Sequence, residues 1–335
     1  MSSSILTSTA TPAGNEAGNG ADRRPNPADH ATVAEFSRFA ISKALQSRAH
    51  QLIPGGAHTY AKGDDQYPEL APGFIDHGLG CHVWDVDGNE YIEYGMGLRS
   101  VTLGHAYAPV VEAAYREMVR GANFTRPTAI EVEAAELLRS MIPAAAARGD
   151  MVKFAKNGSD VTTAALKLAR ACTGRDLIAI CGDHPFFSVD DWFIGSTAMP
   201  GGIPDLIRRQ TLKFHYNDLA SLAALFDAYP DQIACVMMEA EAAEPPAPGY
   251  LQAVIDLCHS HGAIFVLDEM ITGFRWHNGG AQTLYGIEPD LSTFGKGIGN
   301  GFAVAALVGK AEIMARGGLQ HDHERVFLLS TTHGA

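Results

Sequence analysis

Hydrophobic and polar positions change rhythm along the chain. Residues 1 to about 32 are Ser, Thr, Ala, Gly, Asn and Pro with almost no large apolar side chains. Such a stretch buries too little surface to offset its ordering entropy, which predicts a disordered tail over 1–32. An amphipathic helix is predicted from Val33 to Leu52, stopped by Pro54-Gly55-Gly56. From Cys81 to Tyr94 polar and apolar residues alternate around Asp87-Gly88, a hairpin signal. Beyond residue 105 the texture shifts. Helical stretches at Pro109–Gly121 and Ile130–Met141 give way to short β-rich runs at 152–155, 177–181, 233–238, 263–267 and 303–308. Helical patterns at Val161–Ala171 and Tyr250–His261 lie between them; in the second, Leu251, Val254, Ile255 and Cys258 share one face. Apolar strands alternating with helices predict an α/β domain whose mainly parallel sheet is covered on both sides.

Composition narrows the reading. The 335 residues are 46% hydrophobic, enough for a large core and for roughly two domains. A net charge of -13 without a basic run argues against nucleic acid or an anionic membrane as a partner. The five cysteines form no CxxC pair and mostly sit in apolar runs, which reads as buried free thiols in a reducing compartment. With no secretory pattern and no apolar run near ~18 residues, the expected location is cytoplasmic.

Three segments carry candidate chemistry. Lys153–Asp160 joins a strand to a helix expected near Asp160 through Asn157-Gly158-Ser159. Free N–H groups and a helix dipole there suit a phosphate, although an ordinary capped helix reads the same way. In Ala263–Arg275 an apolar strand runs into Asp268-Glu269, placing a carboxylate where open α/β sheets bind ligands. That Asp could hold a metal, act as a base, pair with a cationic cofactor nitrogen or simply cap the next segment. In Pro289–Gly301, Lys296 stands among Gly295, Gly297, Gly299 and Gly301. Desolvation would lower its pKa and make it nucleophilic, whereas a solvated surface lysine is the plain alternative. The strand-like Phe302–Leu307 that follows excludes a dinucleotide fingerprint, which needs a helix there. Together, a phosphate turn, a strand-end Asp and a lysine in a glycine loop are the set that pyridoxal phosphate (PLP) chemistry needs.

These segments resemble the class III, fold-type I PLP-dependent aminotransferases. Asp268–Arg275 is similar to D-E-V-x-T-G-F-R, and Pro289–Gly301 to P-D-L-x-x-x-G-K-x-I-G-x-G. Trp84–Tyr94, Leu103-Gly104-His105 and Tyr216–Leu219 match further family segments over about residues 36 to 335. By texture the chain is similar to glutamate-1-semialdehyde 2,1-aminomutases. The resemblance implies that Lys296 is the Schiff-base lysine and proton shuttle, and that Asp268 partners the pyridine nitrogen. It implies that Asn157, Gly158 and Ser159 hold the phosphate, that Met270 lies beneath the ring, and that Glu239 stands near the cofactor. It also implies that Thr331 reaches the partner subunit's phosphate in a homodimer with shared active sites.

The resemblance maps residues 33–104 to a segment of a smaller, discontinuous α+β domain and 105–310 to the large PLP-binding domain. By the same resemblance, residues 311–335 are expected to begin a truncated C-terminal segment that family members continue. Asp183-His184-Pro185 replaces the usual Tyr-His-Gly, leaving His184 or Phe186 to stack on the ring. Ala240 replaces a proline, and Pro54–Tyr60 departs from the aminomutase pattern on the substrate side. The expected activity is amino-group transfer between an amino donor and an oxo acceptor. Intramolecular aminomutase chemistry, which needs no second substrate, is one alternative. An inactive truncated paralogue acting as a binding protein is another. His259/His261 and His321/His323 read as helix-end and surface residues rather than metal ligands, and Asp190-Asp191 as a solvated loop pair.

Overall fold

A computed structural model describes residues 38–241, 243–319 and 322–330. The tail expected over 1–32 and Thr331 lie outside the described residues. The chain divides into two compact units: the residues up to Ile75 with Asp85–Asn89, and Asp76–Trp84 with Glu90 onward.

In the first unit, α1 (Ala40–Leu52) stops before Pro54, where Gly55 and Gly56 take φ of 75° and 72°. Its start is capped from a distance: the Asp87 carboxylate accepts from the N–H groups of Ile41 and Ser42 at 2.7 and 2.9 Å. Those N–H groups have no carbonyl partner within the helix, so the hairpin turn supplies one.

The predicted hairpin is present. Strands β1 (Ile75–Leu79), β2 (His82–Asp85) and β3 (Glu90–Ile92) form a small sheet with His82 opposite Ile92. Helix α2 (Ala108–Met118) follows where Pro109–Gly121 predicts one.

The second unit is built on a seven-stranded sheet among the described residues. Its strands are β4 (Met151–Ala155), β5 (Leu177–Cys181), β6 (Thr211–Phe214), β7 (Ile233–Glu239), β8 (Ile264–Asp268), β9 (Leu291–Phe294) and β10 (Ala305–Gly309), in the order β4-β10-β9-β8-β7-β5-β6. All neighbours pair in parallel except β10, which is antiparallel to both β4 and β9. Every residue of β7 and β8 is buried, as a sheet covered on both faces requires.

Alternation along the strands builds the two faces. Cys235 and Met237 pack with Val161, Ala165 and Leu168 of α3 (Gly158–Thr173). Val236 and Met238 pack with Leu222 of α4 (Leu219–Ala228) and with Leu251, Val254, Ile255 and Cys258 of α5 (Tyr250–Ser260). Each large side chain buried this way contributes about 1.5–3 kcal/mol. Strands β6 and β9, both four residues long, fall outside the β-rich runs predicted from sequence. Register places Glu239 opposite Asp268, so the carboxyl ends of β7 and β8 bring two acids side by side.

Cys181, Cys235 and Cys258 are buried, Cys172 is partly buried and Cys81 is exposed; all are free thiols. Among the described residues no helix is long and apolar enough to cross a membrane.

Candidate active site

Three separate loops converge at the carboxyl ends of β7 and β8. The first opens α3, which starts at Gly158, two residues before the expected Asp160. Asn157 is its cap: the Asn157 Oδ1 accepts from the Asp160 N–H at 3.1 Å. The N–H groups of Gly158 and Ser159 precede the first helical bond and face no helix carbonyl. The Ser159 Oγ accepts from the Val189 N–H at 3.0 Å, which leaves its own proton to donate.

Met270 joins this turn to the other two loops. A Cβ on Gly158 would come within 2.9 Å of the Met270 Sδ, and one on Gly295 within 2.5 Å. The thioether therefore passes between Gly158 and the residue before Lys296, and a side chain at either glycine would force it to move. Sequence spacing alone could not show this contact, and it brings the Asn157–Ser159 turn, the strand-end Asp and the lysine loop together. Lys296 itself adopts φ of 45°, a left-handed conformation that side-chain-bearing residues take mainly where function holds them there.

The polar groups at the strand ends are buried and only partly satisfied. The Asp268 Oδ1 accepts from the Met270 N–H at 2.8 Å and from the Thr293 hydroxyl at 3.2 Å. Its Oδ2 is buried and has no partner among the described residues; the Glu239 Oε2 and His184 Nε2 share that state. A buried polar atom without a partner costs free energy unless a ligand completes it. The His184 Nδ1 accepts from the Glu239 N–H at 3.0 Å, so the neutral ring carries its proton on Nε2. Burial pushes the His184 pKa down to about 4. Burial, reinforced by Asp268, raises Glu239 to about 7. Burial also raises Asp268 to about 6, against the pull of the Met270 N–H and of Lys296. The Lys296 amine is pushed down by burial, opposed by Asp268 and Glu239. The site therefore holds an amine whose charged form burial disfavours, and an acceptor oxygen without a donor.

Of the two rings considered for stacking, His184 is buried, with its ring 5.1 Å from that of Tyr216, while Phe186 is half exposed. Several contributors carry no signal readable in sequence. Thr293 orients Asp268, and the Asn300 side chain binds the Leu103 N–H at 2.8 Å and the Gly104 carbonyl at 3.1 Å. The Tyr216–Leu219 motif shapes the loop after β7, because Asn217 accepts from the Ala247 N–H and donates to the Pro245 carbonyl. His259 pairs with Asp290 at 3.0 Å and His261 stacks on Phe226 at 4.5 Å; His321 lies outside the described residues. Of the pair expected to be solvated, Asp191 is exposed, while Asp190 is partly buried and accepts from the Thr163 hydroxyl.

Comparison with known proteins places this arrangement. The family model for class-III aminotransferases matches residues 62–183 and 192–328. The chain belongs to the class-III aminotransferase family. It is 38% identical over 289 residues to a glutamate-1-semialdehyde 2,1-aminomutase of Chloroflexus aurantiacus, covering 83% of this chain and 64% of that protein. It is 37% identical over 306 residues to a 3-aminobutyryl-CoA aminotransferase of Cloacimonas acidaminovorans, covering 89% of this chain and 70% of the relative. The chain thus spans about two-thirds of the length of these relatives. Among solved structures, the FumI protein of Sphingopyxis sp. MTA144, in its PLP internal aldimine form, superposes with a TM-score of 0.75 at 30% identity over 85% of this chain and 68% of that one.

Proposed function

We propose that this class-III family member binds pyridoxal phosphate and moves an amino group between an amino donor and an oxo acceptor. The unpartnered, buried Oδ2 of Asp268 carries the reading. A protonated pyridine nitrogen is the donor that such an oxygen lacks, and the remaining residues fit the cofactor's other parts. The N–H groups of Gly158 and Ser159, the Ser159 hydroxyl and the start of α3 suit its phosphate. Met270, 7% exposed between Gly158 and Gly295, offers an apolar support for the ring. Bound pyridoxal phosphate supplies an electrophilic carbonyl carbon and a protonated ring that accepts the electrons of a deprotonated substrate carbon.

The chain supplies the rest. The Lys296 Nζ is the nucleophile that holds the cofactor between turnovers. With the cofactor bound, the Lys296 amine would take and return the proton at the substrate carbon as general acid–base. Burial pushes its pKa down, the direction that favours the neutral amine this role needs. With the cofactor bound, the free Oδ2 of Asp268 would accept the ring nitrogen's proton in a hydrogen bond and favour its protonated form. His184 and Glu239 close the buried floor beside it, linked through the Glu239 N–H.

The relatives' names include both an aminomutase and an aminotransferase, and the two activities share this first half-reaction. Incubating the cofactor-loaded protein with a panel of amines, with and without pyruvate or 2-oxoglutarate, tests the reading. Conversion of the cofactor to its amino form, followed by acceptor-dependent turnover, is expected. Turnover independent of any added acceptor would favour the mutase, and no spectral response to PLP or amine would leave only the binding-protein alternative.

A homodimer in the cytoplasm is part of the same proposal. Helix α2 has no buried residue, and Val111, Tyr115 and Met118 on it are exposed. An apolar stripe at that spacing suits a second copy of the chain.

A further inference from the structure

Residues 96–99 form a turn that no local sequence rule calls for. Met96, Gly97, Leu98 and Arg99 have φ of 47°, 57°, 57° and 68°, one left-handed turn in which only one residue is glycine. Side-chain-bearing residues adopt such a turn at a cost, and it persists only where its surroundings hold it.

Here they do. The Glu93 carboxylate accepts from the Gly97 N–H at 3.0 Å and pairs with the His105 Nε2 at 2.5 Å. The Ser100 hydroxyl donates to the Gly97 carbonyl at 2.6 Å. The segment is fastened to the lysine loop through Asn300, and the Thr102 Oγ1 lies 2.8 Å from where a Cβ on Gly297 would stand. The Arg99 carbonyl in turn meets the Arg275 Nη2, which stands 3.7 Å from where a Cβ on Gly297 would be.

Two arginines meet next to the lysine loop, and they differ in what their donors do. Arg275 spends its donors on backbone: Nε on the Ile271 carbonyl at 2.9 Å and Nη2 on the Arg99 carbonyl at 2.5 Å. The Arg99 side chain is exposed and forms no salt bridge with the described residues. Its charge is felt in the site, where it favours the ionised form of Glu239 and disfavours protonated Lys296. A guanidinium held on a rigid turn with its fork open matches a carboxylate in shape and charge.

We infer that Arg99 is a specificity-determining residue that receives a carboxylate of the amino substrate, presented to the Lys296 site by the left-handed turn Met96–Arg99. The inference rests on the proposed function for its substrate but not for its anion chemistry, and the test separates the two. Asn tolerates left-handed φ, so Arg99→Asn removes the charge while keeping the turn. On cofactor-loaded protein, kcat/KM is measured for 3-aminopropanoate and for propylamine, which lacks only the carboxylate.

The 3-aminopropanoate-to-propylamine ratio is expected to fall about 10- to 100-fold in Arg99→Asn, chiefly through KM, as for loss of a charge-assisted hydrogen bond. Arg99→Lys should recover part of the loss. Equal losses on both amines would make Arg99 structural and overturn the inference. Calorimetric binding of glutarate, which cannot be transaminated, is measured on the same proteins. A Kd about tenfold or more weaker in Arg99→Asn sustains the inference; an unchanged Kd, or no glutarate binding by the unsubstituted protein, overturns it. If neither amine reacts, the glutarate result alone decides Arg99, and the proposed function is judged separately by the spectral response to PLP and the amine panel.

Discussion

Replacing Glu269 by Ala tests whether the site is held together from beneath. Glu269 is fully buried directly after Asp268. Its carboxylate accepts from the Ala281 N–H at 2.9 Å, the Gln282 N–H at 2.8 Å and the Thr272 hydroxyl, capping α6 (Gly280–Tyr285). Its own N–H donates at 2.8 Å to the carbonyl of Thr293, whose hydroxyl orients Asp268. In Glu269→Ala the Thr272 hydroxyl can rotate to another acceptor, but the two backbone N–H groups stay buried and unpaired. Each costs about 1–3 kcal/mol. Part is offset because burial raises the Glu269 pKa, so the carboxylate itself is held at a cost. A net destabilisation of about 2–5 kcal/mol is expected. Glu269→Gln keeps one acceptor oxygen and should lose roughly half as much. Urea unfolding of cofactor-free protein followed by circular dichroism measures both, and PLP titration should show weaker binding in the Ala variant. A loss below about 1 kcal/mol, or equal losses in the two variants, would refute the reasoning.

Gly295→Ala places a Cβ 2.5 Å from the Met270 Sδ and should weaken PLP binding. Adding Met270→Ala should restore part of it, and an unaffected Gly295→Ala would disprove the contact. The cofactor-free protein should lose stability as pH rises from about 4 towards 7. Asp268 at about 6 and Glu239 at about 7 lie above their unfolded values near 4, so the folded state keeps protons that the unfolded chain has released; together they outweigh His184, whose lowered value of about 4 acts in the opposite sense. Glu239→Gln should flatten that dependence of the urea midpoint; an unchanged slope would contradict the assignment.

Elements whose burial matches their polarity could be read directly. Strand β7 shows as an uninterrupted apolar run because both its faces are covered, and the buried side of α5 shows in Leu251, Val254, Ile255 and Cys258. Strand β9 stayed hidden because half of it is polar: Ser292 and Thr293 are buried only because Gln282 and Asp268 bond them. Strand β6 is short and lies at the sheet edge with Lys213 exposed, which blurs its signal. Within the site, Lys296, Asp268 and the Asn157–Ser159 turn stood out as residue types in a fixed order. The Met270 bridge, the His184 tautomer and the left-handed turn at Met96–Arg99 depend on contacts between distant segments, which local sequence does not encode.

The central claim is that Lys296 holds the cofactor. Sodium borohydride reduction of PLP-loaded protein, followed by peptide mass mapping, reads the attachment point directly. A pyridoxyl adduct on the peptide carrying Lys296, absent in Lys296→Ala, is the predicted result. An adduct on another lysine, or a visible absorbance band that survives in Lys296→Ala, would contradict it.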